Sequence, residues 1–318
     1  MQPDGRGKDE LMNFDNTKRA EETALLGGPI EPLHVLPPSV PLHVRLRRAL
    51  KHHSLLAGVL IITIIIALVA AAPLLTSIQP GEQNPGETFL SPSAAHLFGT
   101  DAFGRDIFSR VLHGGRYTIV ASLMVVLLGG IVGTALGIIA GYFGGVVGFV
   151  IMRFIDLLLA FPGILLALAA AAILGPGLTN GIISVSIVLV PVYARVVEGA
   201  TVEARHLPYI EAATTVGVGA WSIIWHHVLP NIRSGIIVLT TSWLGIAALW
   251  IAALGFLGLG VQPPTAEWGS IINDGSIYIT VAWWVAFFPG IFLMLFVVAS
   301  NFIGDGLRDV LDPTLTSK

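Results

Sequence analysis

Cysteine is absent from the chain, which excludes disulfides, thiolate metal sites and cysteine nucleophiles. Charge is scarce as well. Only 12% of the 318 residues are Asp, Glu, Lys or Arg, against about 25% in a soluble domain. The net charge of −3 comes without a long basic cluster, so nothing points to nucleic acid as a partner. No Gly-x-x-x-x-Gly-Lys-Ser/Thr loop occurs to cradle phosphates, and no His-Glu-x-x-His motif or pair of mid-span carboxylates suggests catalysis. The histidine pairs His52-His53 and His226-His227 are sequence neighbours, whose side chains diverge on a helix, so no metal site, catalytic residue or bound cofactor is expected in this chain. Apolar residues, by contrast, are abundant: 54% of the chain, with a mean hydropathy of +0.81. That balance indicates an all-α polytopic membrane protein.

The few charges mark out the spans. None falls between Lys51 and Glu82, Arg116 and Arg153, Asp156 and Arg195, Arg233 and Glu267, or Asp274 and Asp305. A helix needs about 20 residues to cross a hydrocarbon core of about 30 Å, so the Asp156–Arg195 window is too long for one crossing. Gly175-Pro176-Gly177 is the breaker at which a helical hairpin turns. Six transmembrane helices result, at roughly 55–75, 117–140, 150–173, 180–198, 234–257 and 282–303. The first starts too far into the chain, and is too long, for a cleavable signal peptide. An even number of spans places both termini on one side. Arg45, Arg47, Arg48, Lys51, Arg153, Arg195, Arg205, Arg233 and Arg308 share that side, whereas Arg105, Arg110 and Arg116 occupy the other. The positive-inside rule makes the first side cytoplasmic.

Outside the spans, residues 1–52 mix charge with several prolines and read as a largely disordered cytoplasmic arm. The long external loop carries Gly99-Thr-Asp101-Ala-Phe-Gly104-Arg105-Asp106. Asp106 is placed to cap a short external helix, Ile107–His113, and the loop is either such a capped helix alone or a surface for an extracytoplasmic partner. Trp268, Trp283 and Trp284 suggest an interfacial belt, and Gly255, Gly258 and Gly260 a close approach or turn.

Between the fourth and fifth spans lies a polar island, Glu211-Ala212-Ala213, with Gly217 six residues after the glutamate and Leu229-Pro230 beyond it. The pattern predicts a helix over 203–216, an elbow at Gly217 and Gly219, a second short helix over 220–228 and a boundary at Pro230. Such a pair can fill a groove on a soluble partner. Small Ala212 and Ala213 permit close backbone approach there, and Glu211 offers a polar contact at the rim. The alternative is an amphipathic loop lying on the lipid surface.

These residues resemble the EAA loop of ABC importer permeases, with His227 standing at a position that is usually apolar. More closely, residues 53–314 resemble the C-type permease of dipeptide, oligopeptide and nickel importers. The resemblance is carried by Phe98-Gly-Thr-Asp-Ala-Phe-Gly-Arg-Asp-Ile-Phe-Ser-Arg110, Gly141-Tyr-Phe-Gly-Gly145 and Met152-Arg-Phe-Ile-Asp156. It continues through Ala160-Phe-Pro162, Tyr193-Ala-Arg195, Leu257-Gly-Leu-Gly-Val-Gln-Pro-Pro264, Trp268-Gly-Ser270, Ala282-Trp-Trp284 and Gly304-Asp-Gly-Leu-Arg-Asp309. It implies a type I importer transmembrane domain in a bacterial-type inner membrane. The first helix and external loop would occupy 53–115, a five-helix core 116–304 with its coupling loop at 199–232, and a cytoplasmic tail 305–318.

By the same resemblance the partners are a homologous B-type permease, two cytoplasmic ATPases that bind ATP and Mg, an extracytoplasmic substrate-binding protein and membrane lipid. Glu211, Ala212, Ala213, Gly217, His227, Leu229 and Pro230 become the ATPase-coupling residues of a chain that is not itself an enzyme. Peptides rank first as the solute, nickel chelates or oligosaccharides as alternatives. An ATP-independent secondary transporter ranks lower, because ionisable groups cluster at span ends rather than at mid-membrane depth. Arg153 with Asp156, and Arg195 with Glu198, are spaced three apart on helical faces and form candidate structural or gating ion pairs.

Overall fold

A computed structural model describes residues 52–311. Most of the expected arm therefore lies outside the described residues, as does the last part of the expected tail. Eleven helices are named here in chain order: α1 (His53–Ala70), α2 (Ala72–Leu75), α3 (Ile107–Phe143), α4 (Gly145–Leu159), α5 (Gly163–Leu174), α6 (Leu178–Arg205), α7 (Pro208–Thr215), α8 (Ala220–Ile223), α9 (Leu229–Phe256), α10 (Trp268–Ser276) and α11 (Trp284–Leu311). Five helical stretches are long and apolar enough to cross a membrane, and α4 with α5 forms a sixth that is bent by 91°.

That bend corrects the straight span expected over 150–173. Pro162 has no N–H to donate, and the residue before a proline avoids the α conformation, so the helix ends at Leu159 and restarts at Gly163. Gly163 lies against the indole of Trp250 on α9, where an added Cβ would come within 2.6 Å of the ring. Ala167 and Ala171 of α5 then pack into a buried cluster with Val185 and Leu189 of α6.

The core of the bundle is the pairing of α3 with α6. Gly129, Gly133, Gly137 and Gly141 recur every four residues along α3. A Cβ at any of them would lie 2.5–2.8 Å from atoms of α6 between Leu189 and Thr201. The stripe lets the two backbones approach closely, which apolar helices in lipid require because they gain no hydrophobic driving force from each other.

α3 also corrects the separate external helix expected at Ile107–His113, since those residues form the first turns of one continuous 37-residue helix. Asp106 caps it as predicted, accepting a 2.7 Å hydrogen bond from Ser109 N. The loop between α2 and α3 folds back on α10 through a charge cluster. Asp101 accepts from Arg105 Nε at 2.6 Å, and Asp274 accepts from Arg105 and Arg110 at 3.1 and 3.2 Å.

The tryptophan belt also needs correction. Trp268 is fully buried and donates through Nε1 to Val111 O at 2.9 Å, and Trp284 donates to Thr100 O at 3.1 Å. Only Trp283 of the three is exposed. α11 continues to Leu311, so Asp305, Arg308 and Asp309 lie on that helix rather than in a tail. Asp309 receives a 2.8 Å contact from His52 Nε2 at the start of α1.

Candidate functional site

The polar island forms its own small structure at one end of the bundle. α6 stops at Arg205, earlier than the expected helix over 203–216. Pro208 then opens α7 at a first-turn position, where its missing N–H costs nothing. Glu211 lies in the first turn of α7, on the side of the helix dipole that favours an acid. It is exposed and contacts His206 Nδ1 at 3.3 Å. Ala212 is exposed and Ala213 half-buried beside it.

The end of α7 explains why a glycine stands at 217. Gly217 N donates to Thr214 O at 3.0 Å and Val218 N donates to Ala213 O at 3.1 Å. These are the two bonds of a Schellman motif, whose C′ residue must be left-handed. Gly217 has φ +87, and an added Cβ would meet no atom within 4 Å. The requirement is therefore conformational and not one of space. Immediately around this turn Val216 is 84% exposed, so the elbow presents apolar surface outward.

Beneath the elbow the segment is anchored. Ile210 is fully buried with Ile223, Ile224, Val228 and Ile232, against Ile138 of α3 and Val197 of α6. Asn231 Nδ2 donates to the Tyr209 hydroxyl at 2.6 Å, Tyr209 packs edge-on against His227 at 6.0 Å, and Arg205 donates to Tyr142 O at 2.9 Å. His227 thus serves the inner packing of the island. The expected helix ending before Pro230 is replaced by a continuous path from α8 into α9 through one wide π turn, Ile224–Val228. Pro230 cannot donate to the carbonyl one turn back, and the wider turn accommodates its ring. Leu229 is half-buried beneath the island and Pro230 exposed beside it. All seven residues singled out in the sequence therefore belong to one anchored, outward-facing unit.

The expected Arg153–Asp156 pair is present, but its carboxylate has a second partner. Asp156 of α4 is bridged by Arg195 of α6, while Arg153 stands at 4.0 Å from the same carboxylate. Among the described residues no ion pair joins Arg195 to Glu198. The i, i+3 spacing finds Arg153 for Asp156 but misses Arg195, because that partner comes from another helix. Sequence reading also missed the cluster of Asp101, Arg105, Arg110 and Asp274, whose members are up to 173 positions apart in the chain. The repeated Arg and Asp of the 101–110 stretch was its only signal.

Residues 133–317 match the family described as the inner membrane component of binding-protein-dependent transport systems. The chain is 46% identical over 267 residues to a dipeptide transport system permease of Alkalihalophilus pseudofirmus, covering 84% of this chain and 88% of that protein. It is 42% identical to a glutathione transport system permease of Pectobacterium atrosepticum, covering 85% and 90%. A probable D,D-dipeptide transport system permease of Escherichia coli is 41% identical, covering 81% and 87%. In fold it is similar to the inward-facing MetNI methionine ABC transporter, with a TM-score of 0.52 and 22% identity over 64% of this chain and 96% of that one. The chain belongs to the family of binding-protein-dependent transport system inner membrane components, and is a multi-pass permease subunit of an ABC import system.

Proposed function

We propose that this permease carries peptides and that α7 with its Gly217 elbow is the element through which ATPase subunits drive it. The carrying observation is the build of the island: a short helix closed by a Schellman turn, exposed on its outer side, with a buried Ile210 root between α3, α6 and α9. A force applied at α7 is delivered directly to the helix ends that line the bundle. Glu211, Ala212, Ala213 and Gly217 form the contact surface, while His227, Leu229 and Pro230 set its angle to α9. The peptide assignment draws on the dipeptide, D,D-dipeptide and glutathione systems of the relatives.

In this reading both termini and α7 face the cytoplasm, where two ATPases bind ATP and Mg. A homologous permease completes the pore, and an extracytoplasmic protein delivers the solute. The chain itself performs no chemistry. Reconstituting the full importer tests the assignment. Gly217→Arg is expected to abolish both peptide uptake and binding-protein-stimulated ATP hydrolysis while leaving membrane insertion intact. Normal values for both would remove α7 from the coupling role. A binding protein that stimulates hydrolysis only when loaded with a non-peptide ligand would remove the peptide assignment alone.

A further inference from the structure

A groove with a volume of about 750 Å³ runs between α3 and the α8–α9 segment. Leu127, Ile131 and Ile138 form one wall, Ile236 and Ile237 the other, and Trp221, Trp225 and Arg233 stand toward the end near the island. The hydroxyl of Thr240, another lining residue, is already engaged, accepting from Tyr193 and donating to Ile236 O. Thr134, midway along α3, is the other hydroxyl of the lining; its Oγ1 is shielded from the groove and has no hydrogen-bond partner among the described residues, so the exposed lining is almost wholly hydrocarbon, with a cation toward one end only. We propose that it holds an acyl chain of one anionic phospholipid, with the phosphate group against Arg233.

Three observations select this occupant. The first is length. On α3 the lining runs from Val126 to Ile139, about 20 Å at the helical rise, close to the about 15 Å of hydrocarbon in one leaflet plus the interface. Toward the middle of the bundle the groove closes, because Ala121 and Val125 of α3 join Ala247, Ile251 and Leu254 of α9 in one buried cluster. A membrane-spanning partner helix would need a surface extending over both leaflets, whereas a lipid tail ends where this groove ends.

The second observation is charge. Arg233 is exposed and, among the described residues, forms no ion pair and no side-chain hydrogen bond. A guanidinium at that depth can extend toward the interface, where a phosphate presents matching acceptors. The third is the tryptophan pair. Trp221 and Trp225 are 60% and 62% exposed at the same end, the level at which an indole sits with its ring in hydrocarbon and its N–H among headgroups.

The test uses the assembled importer. After purification from phosphatidylglycerol-containing membranes, native mass spectrometry of the wild-type complex should retain a phosphatidylglycerol that survives delipidation. Arg233→Ala should lower that retention about fivefold, the weight of one basic residue at an anionic surface, and Arg233→Lys should largely restore it. Thr134→Trp, which fills the groove, should remove the lipid with Arg233 intact. In a second arm, p-benzoylphenylalanine in place of Ile131, which is 67% exposed, should form an adduct with phospholipid on irradiation. Cross-linking to the partner permease instead, or retention unchanged by both Arg233→Ala and Thr134→Trp, would overturn the proposal. Equal retention of phosphatidylcholine would overturn the anionic assignment. None of these readouts requires transport or assigns a side to the bilayer, so they stand apart from the coupling test at Gly217.

Discussion

The Thr118 hydroxyl of α3 donates a 2.7 Å hydrogen bond to Glu267 Oε1, across 149 positions of sequence. The same carboxyl caps α10, its other oxygen accepting from Ser270 N at 3.1 Å, so one buried acid joins α3 to the short helix before α11. Gly255 of α9 leaves room for it, since a Cβ there would lie 2.3 Å from Glu267 Oε2.

Burial pushes the Glu267 carboxyl above its usual range, opposed by the hydrogen bonds from Gly269, Thr118 and Ser270. A carboxyl with a raised folded pKa binds its proton more tightly in the folded state. Its contribution to stability is therefore full below the unfolded value of about 4.3 and declines as pH rises through the folded value. Glu267→Gln removes that titration. The melting temperature of the variant minus that of the wild type should rise between pH 5 and pH 8. A difference independent of pH would show that Glu267 does not titrate in this way.

The Asp156–Arg195 bridge joins the first arm of the bent span to α6, and both side chains are less than half exposed. Such a pair contributes about 0.2–1 kcal/mol. A double-mutant cycle of Asp156→Asn with Arg195→Gln should give coupling in that range, and the cycle with Arg153→Gln should give close to none. Larger coupling to Arg153 would return the pair to the i, i+3 geometry that spacing alone predicts.

That contrast marks how far the chain could be read in advance. Charge gaps located the spans because an ionised side chain is too costly in hydrocarbon to be scattered there. The island was legible because its glycine serves a local backbone geometry. Interhelical partners such as Arg195 for Asp156, or Asp274 for Arg105 and Arg110, leave no periodic trace. The breaks at Pro162 and Pro208 were visible as residues, but hydropathy runs smoothly through the first, and the alanine-rich pattern around the second reads as continuous helix. Trp268 shows the same limit in reverse: an aromatic near a span end suggests an interface, yet its N–H is satisfied inside the bundle.

Gly217 separates conformation from contact. Ala at a left-handed position costs about 1–2 kcal/mol, and Asn, which visits that region more readily, costs less. No neighbour stands within 4 Å of the added Cβ, so neither change creates a clash inside the chain. Peptide uptake should rank wild type, then Gly217→Asn, then Gly217→Ala, with Gly217→Arg abolished despite normal amounts of the protein in the membrane. If Gly217→Asn were as inactive as Gly217→Arg, surface contact rather than backbone geometry would dominate at this site.

The Asp101–Arg105–Arg110–Asp274 cluster is asymmetric in burial, and its response to mutation should be too. Asp101 is 3% exposed at its side chain and faces Arg105 and Arg110, exposed by 7% and 2%. It also accepts from Phe103 N and Arg105 N at 2.8 and 3.0 Å, holding the turn that leads into α3. Asp274, by contrast, is 40% exposed and among the described residues is reached only by the two arginines. Removing one partner from a buried pair costs about 3–5 kcal/mol, because the remaining charges are left without compensation. Asp101→Ala should therefore approach that range and release the loop, whereas water can replace much of what Asp274→Ala removes and the cost should be about 1 kcal/mol. Thermal unfolding gives the energies, and limited proteolysis within residues 76–106 reports whether the loop has come away. Rapid cleavage is expected for Asp101→Ala and near wild-type resistance for Asp274→Ala. The reverse order would mean that Asp274, and not the buried turn, is what keeps this loop seated on α10.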